Sequence, residues 1–173
     1  QTNEISNDGV ITVGGVAVGG DNRVWYGARG LFAGGNANTI DYFTISSLGN
    51  STDFGDLTNS PNDPAGCSNG SRGLFGGGYA SFAWQNVIQY VTVANTGNAT
   101  DFGDLTVARQ GLGACSDSVK GVFGGGGSSG DTPSDVIDYV TVATTGNATD
   151  FGNLTVARRA GVSACSNTTR GLF

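Results

Sequence analysis

Thr96–Arg109 reads TGNATDFGDLTVAR and Thr145–Arg158 reads TGNATDFGNLTVAR, a single change in fourteen positions. A shorter relative, TDFGDL, begins at Thr52. Before the two long copies stand VIQYVTVA (Val87–Ala94) and VIDYVTVA (Val136–Ala143). These runs are rich in β-branched and aromatic residues, which fit a pleated surface. Alternation puts Ile137, Tyr139 and Thr141 on one face and Val136, Val140 and Val142 on the other. Apolar groups on both faces predict a strand buried from both sides. Gly and Asn tolerate positive φ, so a tight turn is expected at Gly97-Asn98 and at Gly146-Asn147. DFGDLTVA is then the partner strand of a hairpin.

The hairpin belongs to a longer unit. RGLFAGG starts at Arg29, RGLFGGG at Arg72, KGVFGGG at Lys120 and RGLF at Arg170, in steps of 43, 48 and 50 residues. Cys67, Cys115 and Cys165 are spaced by 48 and 50 residues. Periods of this size mark propellers and stacked arrays, whose units bury their faces against one another. GLGACS (Gly111–Ser116) and GVFGGG (Gly121–Gly126) supply two more strands, and no stretch has helical periodicity. The expected fold is all-β, with tandem four-stranded antiparallel units of 48–50 residues. The units fall at about 22–58, 64–107 and 111–156, with a partial unit at 160–173. Residues 1–21, containing GVITVGGVAVGG, are expected to be a β-like docking strand or linker.

Composition narrows the functions. Lys and Arg total 8 against 14 Asp and Glu, a net charge of −6, which argues against a nucleic-acid partner. No apolar run approaches the ~20 residues of a membrane-spanning helix, so no membrane insertion is expected. No signal peptide is visible, and a start at Gln1 suggests a chain processed or excised from something longer. The chain has no His and no CxxC pair, so no metal site is expected. The glycine runs lack the GK[ST] ending of a phosphate loop, and no cofactor is expected. Cysteines at equivalent places of stacked sheets lie about 10 Å apart, too far for a disulfide, and read as small apolar fillers. Asp53/Asp56 and Asp101/Asp104 recur with the hairpin and read as turn carboxylates. Arg109 and Arg158 share one offset, and each is expected to tie a strand end to the neighbouring unit through a carboxylate or a carbonyl.

The units differ most just after the glycines. The links read NAN (Asn36–Asn38), YASFAWQ (Tyr79–Gln85) and GSSGDTPS (Gly127–Ser134). Loops on a rigid scaffold carry function. Tyr79, Phe82 and Trp84 are the candidate ligand-binding residues, suited to stacking on sugar rings or to protein contact. The competing reading has them cover an adjacent unit or a subunit contact. Trp25 and Tyr26 pose the same choice.

Leu74-Phe75-Gly76-Gly77, Tyr90, Phe102, Leu105 and Arg109 recur as Val122-Phe123-Gly124-Gly125, Tyr139, Phe151, Leu154 and Arg158. Leu31-Phe32, Gly34-Gly35, Tyr42, Phe54 and Leu57 form a first copy without the arginine. This pattern resembles the Kelch repeat over roughly residues 22–173. The resemblance implies blades of a β-propeller, with Tyr42, Tyr90, Tyr139, Phe54, Phe102, Phe151 and the two arginines as inter-blade structural residues. Closed propellers have 4–8 blades, so further sequence or partner chains would complete the array. The wording GNATDFGDLTVAR is also similar to repeats in tail-fibre-like and other structural proteins of tailed phages of marine bacteria. That likeness implies a virion, extracellular or cell-surface location. It implies a non-enzymatic appendage module that binds a host-cell surface glycan or protein, or a purely structural subunit. Kelch-type copper oxidases use His ligands and sialidase-like propellers carry an S-x-D-x-G-x-T-W box; neither is present in this sequence. A carboxylate-based glycan-active enzyme has the least support.

Overall fold

The computed structural model describes residues 29–159, 161–167 and 169–173, together with three short strands nearer the N-terminus. Those three, β1 (Glu4–Ile5), β2 (Ile11–Val13) and β3 (Val16–Ala17), pair antiparallel in that order. The rest of the 1–21 stretch, with Trp25 and Tyr26, lies outside the described residues.

Among the described residues every regular element beyond a single 3₁₀ turn is a strand, and every pairing is antiparallel. The first sheet joins β4 (Arg29–Gly34), β5 (Ala37–Thr44) and β6 (Thr52–Asp56). The second runs β7 (Ala65–Ser68), β8 (Arg72–Gly76), β11 (Val87–Thr92), β12 (Thr100–Asp104), with β9 (Tyr79–Ala80) and β10 (Ala83–Trp84) inserted as a separate hairpin. The third runs β13 (Gly113–Ser116), β14 (Lys120–Gly124), β16 (Thr132–Thr141), β17 (Thr149–Arg158), with β15 (Gly127–Ser128) paired to the start of β16. A last pair, β18 (Cys165–Ser166) and β19 (Gly171–Leu172), follows. Among the described residues the sheets form a row and do not close on themselves.

The turn after each long strand falls earlier than the sequence suggests. The Asn95 amide donates to Thr92 O (3.1 Å) and the Thr144 amide to Thr141 O (3.0 Å). Gly97-Asn98 and Gly146-Asn147 are therefore not the hairpin turn. They run extended along the sheet before them. Gly97 N donates to Phe54 O and Ala99 N to Asp56 O, both at 2.7 Å, and Asp56 N donates to Asn98 Oδ1 at 3.0 Å. The same three bonds recur one unit on: Gly146 N to Phe102 O, Ala148 N to Asp104 O, and Asp104 N to Asn147 Oδ1. Each Gly-Asn segment plugs a socket formed by the preceding Phe-Gly-Asp. A Cβ on Gly103, whose φ is +145°, would run into the Gly146 backbone, so the socket needs glycine twice over.

The core sits between the sheets. Ile40, Phe54, Leu57, Phe75 and Val91 fill the space between the first and second. Leu74, Ile88, Phe102, Leu105, Phe123, Val140 and Val142 are among those between the second and third. Burying such side chains contributes roughly 1.5–3 kcal/mol each. The Phe123 ring lies against Gly76 of the sheet before, which explains the glycine after Leu74-Phe75: a side chain there would displace the ring. Val140 and Val142 are buried, while Ile137 and Tyr139 are half-buried.

Candidate functional site

Two sets of residues were singled out by sequence, and the structure places them apart. The first lies at sheet junctions. Tyr42 and Phe54, Tyr90 and Phe102, and Tyr139 and Phe151 each meet edge to face at 5.9 Å within one sheet. A cation covers each tyrosine from the neighbouring strand: Arg29 over Tyr42, Arg72 over Tyr90 and Lys120 over Tyr139, at 4.7, 4.6 and 5.1 Å. Arg29 and Arg72 also donate to carbonyls of the next sheet, Val93 and Ala94 for one and Val142 and Ala143 for the other.

Arg109 is fully buried. Its Nη1 donates to Val136 O (2.6 Å) and Gly125 O (3.3 Å), and its Nη2 to Asp138 Oδ2 (2.5 Å). Asp138 is buried too and also accepts from Thr106 Oγ1 (2.5 Å). Burial pulls the Arg109 guanidinium below its ordinary value, and Asp138 opposes that shift. Arg158, in the same place one unit later, is exposed on β17. At the earlier junction Pro61 stands in the arginine position, and neutral Gln89 replaces the aspartate, accepting from Thr58 N and Oγ1 at 2.6 and 2.7 Å. Sequence reasoning missed Asp138 and Gln89. The signal was a polar residue alternating with valines on a strand read as buried.

The cysteines are free: Cys67 half-buried, Cys115 buried and Cys165 exposed. Burial pushes the Cys67 thiol up to about 12, with Cys115 adding to the effect. Asp53 and Asp150 each accept from the amide two residues on, at 3.0 Å. Among the described residues no group of three or more His, Cys, Asp or Glu gathers as a metal site. No helix among them is long and apolar enough to cross a membrane.

The second set lies on the β9–β10 hairpin. Tyr79 pairs with Trp84 across it, and their rings meet edge to face at 5.3 Å. The hairpin is anchored at its base: Tyr79 and Asn62 exchange two backbone bonds of 2.8 Å, and Gln85 Nε2 donates to Ala80 O and Ala83 O at 3.0 Å. Trp84 Nε1 is buried without an acceptor, so packing rather than hydrogen bonding holds the indole. Tyr79 and Trp84 are half-buried and support the tip. Phe82 is the tip, 94% exposed. Ser81 and Phe82 make the two-residue turn with φ of +52° and +62°. Such turns favour Asn-Gly, and a bulky residue there is strained. The counterpart links differ: the first sheet turns at Asn36 (φ +66°), and the third carries the 3₁₀ turn Ser129–Asp131, with Asp131 3.6 Å from Arg159.

Comparison with protein-family models finds no match, and comparison with curated proteins finds none.

Proposed function

We propose that this chain is a non-enzymatic, β-propeller-like repeat module of a viral or extracellular appendage. It binds a host-surface glycan or protein through its variable links, with Phe82 as the contact and Tyr79 and Trp84 as its support. The observation that carries the reading is Phe82 itself. The chain holds a phenyl ring at 94% exposure, in a backbone conformation that resists it, on a hairpin pinned at its base. Neither packing nor local preference explains that choice, and strain kept at one exposed position points to use. A rigid exposed aromatic suits stacking on a sugar face or insertion into a protein surface. The stacked sheets and the Kelch-like pattern support the propeller-like architecture, and the repeat wording supports the appendage setting.

The test is binding of the purified chain to a glycan array and to candidate host cells, compared with Phe82→Ala. Loss of binding with an unchanged circular dichroism spectrum supports the reading. Equal binding by the two proteins rejects it.

A further inference from the structure

The parts of a junction occur once more at each end of the row, and each end holds the half that the other lacks. The third sheet presents an empty socket. Phe151 is 57% exposed where Phe54 and Phe102 are 2% exposed, and nothing lies against Gly152 where Gly55 and Gly103 are covered by a Gly-Asn plug. The first sheet presents a spare plug, Gly49-Asn50-Ser51. Beside it Ile45 is 66% exposed where its counterparts Val93 and Val142 are buried.

Charge completes the match. An arginine follows the socket where the next sheet offers an aspartate, as Arg109 does for Asp138, and Pro61 stands there where it offers Gln89. The third sheet ends in Arg158, and the first sheet carries Asp41 in the acceptor position. Strand β18 is seated on the third sheet through Ser166 Oγ, which donates to Ser116 O (2.6 Å). Beyond β18, Arg170-Gly171-Leu172-Phe173 repeats the sequence of Arg29-Gly30-Leu31-Phe32. A groove of about 710 Å³ runs from Phe151 and Leu154 to Leu172 and Phe173.

We propose that this chain assembles head to tail with a second copy of itself, the first sheet of one docking on the third sheet of the other. Gly49–Ser51 enters the Phe151–Asn153 socket, Asp41 meets Arg158, and Ile45 is buried. Strand β4 of the incoming copy takes the place of the identical residues of β19. The junction is heterologous, and such contacts close into rings or run on as filaments. A two-copy ring is the smallest closed form. The inference stands independently of what Phe82 binds.

Analytical ultracentrifugation from micromolar to hundreds of micromolar chain tests it. The expected species has twice the 17.4 kDa of one chain. Ile45→Asp and Phe151→Asp should each stay monomeric with a native circular dichroism spectrum. Their equimolar mixture should dimerise through the one intact junction, which a misfolded variant could not do. A larger species that both substitutions abolish supports the junction with a filament in place of the ring. Deleting residues 170–173 should strengthen association by removing the competing strand, and loss of association on that deletion overturns the exchange. A wild-type monomer at every concentration, a monomeric mixture, or single variants that associate as wild type overturn the proposal.

Discussion

Arg109 leaves its own sheet and meets Asp138 in the next at 2.5 Å, with neither side chain exposed. Removing one partner strands the other charge in the core, at a cost of about 3–5 kcal/mol. Arg109→Ala and Asp138→Ala should each lower the urea midpoint accordingly. The double variant Arg109→Met/Asp138→Gln imitates the neutral junction at Gln89 and should fall closer to wild type than either single change. A double variant as unstable as the sum of the singles would show that the pair is not coupled.

Gly103 and Gly152 share an unusual backbone, with φ of +145° and +135°, but only Gly103 is covered by a plug. In a chain held monomeric by Ile45→Asp, Gly103→Ala should therefore cost about 1–3 kcal/mol more than Gly152→Ala, the price of overpacking the socket. Equal losses in thermal or chemical unfolding would reduce both to backbone strain.

Phe82→Gly separates use from stability. Releasing a non-glycine residue from a left-handed conformation should stabilise the chain by about 1 kcal/mol. Ligand binding should disappear in the same protein. A destabilised variant would mean that the ring packs in solution.

The Cys67 thiol ionises near its ordinary value of 9.0 when unfolded and is held up to about 12 when folded. Between those values the unfolded state binds fewer protons, so stability falls as pH rises, by up to about 1.4 kcal/mol per unit. Below pH 9 this contribution is complete. Cys67→Ala should flatten the stability profile from pH 9 upwards, and an unchanged slope would locate the alkaline loss elsewhere.

The repeating strands were legible because β-branched alternation and glycine spacing act within a few residues. Tyr79, Phe82 and Trp84 were legible as one group because they share one link, but their division into support and tip depends on the handedness at Ser81 and Phe82. The inter-sheet role of Gly97-Asn98 was hidden. Those residues favour turns locally, and only contact with Phe54–Asp56, more than forty residues away, makes them a plug. Asp138 was hidden for the same reason: its partner Arg109 lies in another unit.

The near-identity of the two fourteen-residue stretches has a genetic consequence. Each carries a plug and a socket together, so a repeat gained or lost by recombination between the copies brings or removes one complete joint. The surviving joints keep both halves. The length of the array is thus free to change by whole units while the hairpin on any one of them diversifies separately.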